Sequence, residues 1–145
     1  MKAVIQRVGR TVLRVGGEVV SEIERGLAVY LGVAPSDTQQ NAAAMAKKIA
    51  ALRIFEDENG KMNLSVRDVK GEVLLISQFT LYGDATHGNR PSFIGAARPE
   101  HAEPLYEAAA RFLAAEGVPV KTGVFGADMK IDQHNDGPVT ILYEC

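Results

Sequence analysis

Residues 27–33 read Leu-Ala-Val-Tyr-Leu-Gly-Val, and residues 72–81 read Glu-Val-Leu-Leu-Ile-Ser-Gln-Phe-Thr-Leu. Neither run alternates between apolar and polar positions. A strand with one wet face alternates, so short, nearly continuous apolar runs predict central strands covered on both faces. Such strands need covering layers, and the neighbouring sequence supplies two. A helix is predicted to open at Pro35-Ser36-Asp37, where Ser36 with Gln39, or Asp37 with Gln40, has the spacing of a capping box. Ala42, Met45, Ala46, Ile49 and Leu52 then recur at helical intervals. A second helix is predicted over Glu100–Glu116, with Leu105, Ala109, Phe112 and Leu113 on one face and Gly117 as C-cap.

Shorter strands fill the rest. Val4–Val8 and Arg10–Val15 read as partners in a hairpin across Gly9, and Val19–Ile23 follows a Gly16-Gly17 turn. Ile54–Glu56 and Lys61–Ser65 flank the turn signal Asn59-Gly60. Val118–Phe125, Met129–His134 and Val139–Tyr143 complete the set, with Asn135–Pro138 as a tight turn before the last strand. The joins are mostly short, which predicts antiparallel neighbours. The expected architecture is α+β: a curved, barrel-like, mainly antiparallel sheet with two principal helices, in one domain over residues 1–145.

Composition bounds the class. The chain has 145 residues, 46% apolar and 23% charged, which fits one ordinary globular domain and excludes a disordered chain. The single cysteine, Cys145, excludes a disulfide scaffold. Every apolar run falls short of the ~20 residues of a membrane-spanning helix. Met1-Lys2-Ala3-Val4 runs directly into a strand pattern without the signature of a signal peptide. A soluble, cytoplasmic protein with no membrane partner is expected. The formal charge of −2 argues against a protein that wraps a long nucleic-acid backbone, because such affinity comes from neutralising many phosphates. It is compatible with one that touches only a nucleic-acid end.

The common catalytic signatures are missing. The chain has no nucleophile elbow, phosphate-binding glycine loop or dinucleotide fingerprint. His87, His101 and His134 lack metal-ligand spacing, so neither a metal nor a cofactor is expected. Two segments are unusual. Ser77-Gln78-Phe79-Thr80 ends an apolar strand on polar residues, which either satisfy neighbouring backbone groups or meet a ligand. Asn135-Asp136-Gly137-Pro138 is either an ordinary hairpin turn or a cis Gly-Pro turn, whose two carbonyls on one side could accept an ammonium group. Arg7 lies mid-strand, where an arginine pairs with a carboxylate or caps carbonyls. Met129, after Phe125-Gly126-Ala127-Asp128, either points into a pocket or belongs to the core. Gly88–Phe93 is either a ligand-gripping or a solvated loop.

Taken in order, Gln6-Arg7-Val8, Arg53–Asp57 (RIFED), Gly60–Ser65 (GKMNLS), Ser77–Tyr82 (SQFTLY), Arg90–Phe93 (RPSF), Phe125–Met129 (FGADM) and Asn135–Thr140 (NDGPVT) resemble the motifs of D-aminoacyl-tRNA deacylases. The resemblance covers essentially the whole chain. It implies a homodimeric hydrolase that cleaves the ester between a D-amino acid and the 3′-terminal adenosine of tRNA. It also implies removal of glycine mischarged on alanine tRNA. Gly137-Pro138 would be the cis element inserted into the pocket of the other subunit, oriented by Arg7, and would reject L-aminoacyl esters. Ser77, Gln78, Phe79 and Thr80 would line the pocket for the adenosine and the ester, with Met129 among the binding residues. Thr80 is the motif's candidate nucleophile, yet a hydroxyl nucleophile needs a base within reach and the motif carries none. The preferred expectation is catalysis assisted by the 2′-hydroxyl of the tRNA, with main-chain N–H groups at Phe79 and Thr80 steadying the oxyanion. Arg90, Arg98, Lys47 and Lys48 are the candidates for phosphate contacts.

Overall fold

The computed structural model describes residues 1–145. In chain order the elements are β1 (Lys2–Val15), β2 (Glu18–Ile23), β3 (Gly26–Gly32), α1 (Gln39–Ala51), β4 (Phe55–Glu56), β5 (Met62–Leu64), β6 (Glu72–Ser77), a 3₁₀ turn (Phe79–Tyr82), α2 (Pro99–Ala115), β7 (Val120–Thr122) and β8 (Met129–Glu144). The main sheet runs β2-β1-β3-β6-β7, and β8 pairs with the remaining edge of β1, giving a nearly closed, barrel-like surface.

β1 organises the sheet, and the hairpin expected at Gly9 does not form. Gly9 sits inside a strand of 14 residues. On one side, Lys2–Val8 pairs with β3 and Thr11–Val15 pairs with β2. On the other side β8 follows both halves. One extended glycine cannot reverse a chain; a tight two-residue hairpin needs positive φ angles at one or both central positions. Those occur at Gly16 (φ 58°) and Gly17 (φ 86°), where the chain does reverse into β2.

The sheet is mixed rather than uniformly antiparallel. All three partners of β1 are antiparallel, whereas β3–β6 and β6–β7 are parallel. Parallel neighbours need a long crossover, and the two crossovers carry α1 and α2. Both helices cover one face of the sheet. There, 25 buried residues, including Leu27, Val29, Val73, Leu75, Ile49 and Leu113, form the main core. The opposite face of the same strands carries a smaller cluster of Val8, Leu13, Ile23, Ala28, Leu74 and Ile76. This two-sided burial is what the unalternating runs at 27–33 and 72–81 predict. At the start of β3, Gly26 (φ 156°) lies so close to β6 that an added Cβ would stand 1.8 Å from the Glu72 carbonyl oxygen.

Helix α1 starts later than expected. Its capping partners are Thr38 and Asn41, with the Thr38 N–H donating to Asn41 Oδ1 at 2.9 Å. Asp37 cannot serve as cap because its carboxylate is taken by the Ala34 N–H (2.6 Å) and the Met1 ammonium (2.8 Å). Helix α2 has Pro99 in its first turn, and Gly117 (φ 82°) follows its end. The strand expected over 118–125 shrinks to β7, and that expected through 72–81 stops at Ser77. No helix is long and apolar enough to cross a membrane.

The segment Asn135–Pro138 is not a hairpin turn. β8 is antiparallel to β1 on both sides of it, with Asn135 opposite Val8 and Thr140 opposite Gln6. Residues 136–139 therefore loop out of one long strand as an enlarged bulge opposite Arg7.

Candidate functional site

Strand β6 ends in the sheet and releases the chain at Ser77. The Gln78 N–H still donates to the Leu31 carbonyl at 2.8 Å, and the backbone then tightens into the 3₁₀ turn. This break opens a cavity of about 600 Å³ between the ends of β3 and β6, the start of α2 and the segment leading into β8. Ser77, Gln78 and Phe79 form one wall, and Phe125 and Met129 belong to the lining as well. Thirteen of its 19 lining residues are hydrophobic, so it suits a flat, largely apolar group rather than a polyanion.

Individual side chains are held by identifiable contacts. Phe79 packs edge-to-face on Phe93 with ring centroids 5.2 Å apart, yet stays 57% exposed, and so forms a lip rather than a floor. Tyr106 is buried and donates its hydroxyl to the Leu75 carbonyl at 2.7 Å. Burial pushes its phenol up to about 12. Met129 belongs to the lining and also packs, partly buried, against the smaller core cluster. The chain reaches it through a turn at Gly126 (φ 74°), and a Cβ on Gly123 would stand 2.5 Å from the Met129 sulfur.

The 3₁₀ turn supplies backbone donors. Neither the Phe79 nor the Thr80 N–H finds a backbone acceptor, the usual condition of the first residues of a helical turn. Two free N–H groups beside an apolar cavity can stabilise a developing oxyanion. Thr80 itself is exposed and not part of the cavity wall, in contrast to the expectation for all four motif residues. Its hydroxyl accepts a hydrogen bond from Gln78 Nε2. No histidine, lysine or carboxylate hydrogen-bonds to it: His87 bonds Thr86, His101 bonds the Asp37 carbonyl, and His134 lies by Gly9. No group of three histidine, cysteine, aspartate or glutamate side chains is placed to hold a metal ion.

A second constellation surrounds Arg7. Its guanidinium is buried; Nε donates to the Asp136 carbonyl at 3.1 Å, and Nη1 donates to the Ile54 carbonyl at 2.9 Å. Nε also lies 3.3 Å from the Asp136 carboxylate. Three separated sequence motifs therefore meet at one arginine. The adjoining Gly137-Pro138 peptide is cis, and both residues are exposed. They stand apart from the cavity of their own chain.

Among the basic candidates, only Arg98 lines the cavity. Lys48 instead lies over the Tyr143 ring at 5.3 Å. Sequence reasoning missed Tyr106, which lies outside the apolar face read on α2 yet lines the cavity. It also missed Tyr30 and Gln133, which bond each other at 2.9 Å across strands distant in sequence.

Comparison with known proteins agrees over the full length. Residues 4–144 match the family model described as D-Tyr-tRNA(Tyr) deacylase. Proteins named D-aminoacyl-tRNA deacylase from Thermus aquaticus and Anaeromyxobacter dehalogenans are 56% and 57% identical over 144 residues, covering 99% of this chain and 95% and 97% of theirs. Among solved structures, one named c-Myc DNA Unwinding Element Binding Protein superposes with a TM-score of 0.93 at 45% identity, covering 100% of this chain and 99% of that one. A probable eukaryotic D-amino acid tRNA deacylase has a TM-score of 0.86 at 17% identity, covering 98% and 97%, which shows a shared fold.

Proposed function

This chain belongs to the D-Tyr-tRNA(Tyr) deacylase family, and from that membership we propose that it is a D-aminoacyl-tRNA deacylase acting on the aminoacylated 3′ end of tRNA. Water adds to the ester carbonyl carbon, and the bond to the ribose 3′-oxygen breaks. One proton of the water goes to that oxygen, which leaves as a hydroxyl; the amino acid leaves as a carboxylate and the second proton passes to solvent. The observation that carries this reading is the pairing of an apolar cavity with the two free N–H groups of Phe79 and Thr80 at its edge. The cavity takes the terminal adenosine, along the wall formed by Ser77, Gln78 and Phe79 and against Met129. The N–H pair stabilises the oxyanion. Because no side-chain base reaches the site, the ribose 2′-hydroxyl assists the attacking water, and the Thr80 hydroxyl is dispensable.

Gly137 and Pro138 project from their own subunit, which supports a homodimer in which each subunit completes the other's cavity. The two carbonyls hold the substrate ammonium. With ammonium and ester both fixed, a D side chain points outward and an L side chain points into the Gly-Pro wall. Exclusion by a wall needs no favourable contact with the side chain, so many D-amino acids pass, and so does glycine carried by alanine tRNA. A reaction on aminoacyl-tRNA is consistent with a cytoplasmic location.

Following ester loss from matched D- and L-tyrosyl-tRNA tests this directly. Rapid loss of the D ester alone is expected, and Pro138→Ala relaxes the preference. Equal rates on both enantiomers, or none on either, refute it. The second outcome, with tRNA still bound, would favour a nucleic-acid-binding module, the alternative raised by the name of the structure at 45% identity.

A further inference from the structure

A chain of side-chain hydrogen bonds grips the Gly137-Pro138 bulge from the face of the sheet opposite to Arg7. Gln6 and Arg7 are consecutive in β1, so their side chains leave opposite faces. Gln133 lies at the centre of the chain. Its Oε1 accepts from the Tyr30 hydroxyl at 2.9 Å, and its Nε2 donates to Gln6 Oε1 at 2.8 Å and to Asn135 Oδ1 at 2.5 Å. Gln6 Nε2 then donates to Thr140 Oγ1 at 3.2 Å. Asn135 and Thr140 are the last residues of β8 paired with β1 on either side of the bulge. Each leg of the bulge thus carries one bond from the glutamine pair, and Tyr30 anchors the pair to β3. The row also leads towards the cavity: Met129, Ile131, Gln133 and Asn135 alternate along one face of β8, and Met129 and Ile131 line the cavity.

We infer that Gln6, braced by Gln133 and Tyr30, is a positioning residue that sets the aim of the Gly137-Pro138 element and thereby the enantiomer selectivity of the enzyme. The inference rests on the selectivity role proposed above for that element. Arg7 holds the approach at Asp136, and its Nη2 lies 3.3 Å from where a Cβ on Gly137 would stand. The spacing of the two legs, which orients the carbonyls between them, depends on the outer network. When the legs loosen, the ammonium loses its fixed direction and an L side chain finds room.

The test is steady-state deacylation of D- and L-tyrosyl-tRNA by wild type, Gln6→Leu, Gln6→Glu and Thr140→Val, with thermal melting of each. Gln6→Leu keeps the volume and removes both bonds. Its ratio of D to L kcat/KM is expected to fall roughly tenfold, the weight of one or two neutral hydrogen bonds. KM for the D ester should rise more than kcat falls. Gln6→Glu still accepts from Gln133 and can accept the Thr140 hydroxyl proton, so it should retain most of the selectivity. Thr140→Val changes an exposed residue and should lower the ratio in the same direction. Wild-type ratios in both Gln6→Leu and Thr140→Val, whatever their melting temperatures, overturn the inference. A selective wild type beside them would leave the role of Gly137-Pro138 intact. A wild type with no D preference refutes that role and this inference with it.

Discussion

Replacing Arg7 by methionine tests the link between packing and selectivity most sharply. Methionine fills a similar volume and removes the fork. The Ile54 carbonyl, on a residue only 5% exposed, then loses its donor with no easy access for water. An unsatisfied buried acceptor costs about 1–3 kcal/mol. The Asp136 carbonyl also loses its donor, but Asp136 is 56% exposed on its side chain, so water replaces much of that bond and of the ion pair. Burial of the methionine offsets part of the loss. The net expectation is about 2–3 kcal/mol of destabilisation, or roughly 6–12 °C in Tm for a domain of this size. Arg7→Lys keeps the charge but cannot bond both carbonyls with one geometry, and should fall between wild type and Arg7→Met. Circular dichroism melts give the stability. Tyrosyl-tRNA deacylation gives the D/L ratio, which should fall together with the melting temperature. A melt within about 2 °C of wild type would refute the energetic argument. A low melt with full discrimination would refute the orienting role.

Other expectations follow from the same contacts. Thr80→Ala should retain substantial turnover, whereas tRNA ending in 2′-deoxyadenosine should be a poor substrate; loss of all activity in the first, or equal rates for the second, would remove the RNA-assisted mechanism. Gly26→Ala should yield little folded protein, because its methyl would meet the Glu72 carbonyl at 1.8 Å; a soluble variant with a normal melt would contradict the close strand approach. Tyr106 has a folded pKa near 12 against an ordinary 10.0. The folded state therefore holds this proton more tightly, and the associated stability is present below pH 10.0 and lost as pH rises towards 12. Tyr106→Phe should flatten alkaline unfolding over that window, as read by the pH dependence of the melt. Arg98→Ala should raise KM for aminoacyl-tRNA about threefold at low salt and less at high salt, and an unchanged, salt-independent KM would exclude a phosphate contact there.

Much of the fold was legible because its signals are local. The apolar runs at 27–33 and 72–81 marked strands buried on both faces, although the second strand ends at Ser77, and side-chain spacing marked both helices. Paired glycines at 16 and 17 marked the one hairpin that β1 does make. Gly9 and Asn135–Pro138 misled for a common reason: a turn-forming residue shows that a chain can bend, not that it does. At Gly9, pairing with β8 resumes in the same direction on either side, at Val8 and at Thr11, and the strand runs on. At Gly137, strand pairing resumes in the same direction, so the would-be turn becomes a bulge. The late start of α1 has a similar origin, since Asp37 is drawn away from capping by the Met1 ammonium, which arrives from the far end of the sequence.

The sequence by itself determined the α+β class, the two covering helices, the absence of a side-chain base in the SQFTL motif and, through ordered motifs, the family. Those properties depend on residue type and short-range spacing. Only the tertiary structure decided that β6 has parallel neighbours, that Met129 lines the cavity while the exposed Thr80 is not among its lining residues, and that Arg7 joins Ile54 to Asp136. It also revealed the bonds linking Tyr30, Gln133, Gln6, Asn135 and Thr140. Each of these is a contact between residues far apart in the chain, fixed by strand order and register, and no local pattern encodes which strand will lie beside which.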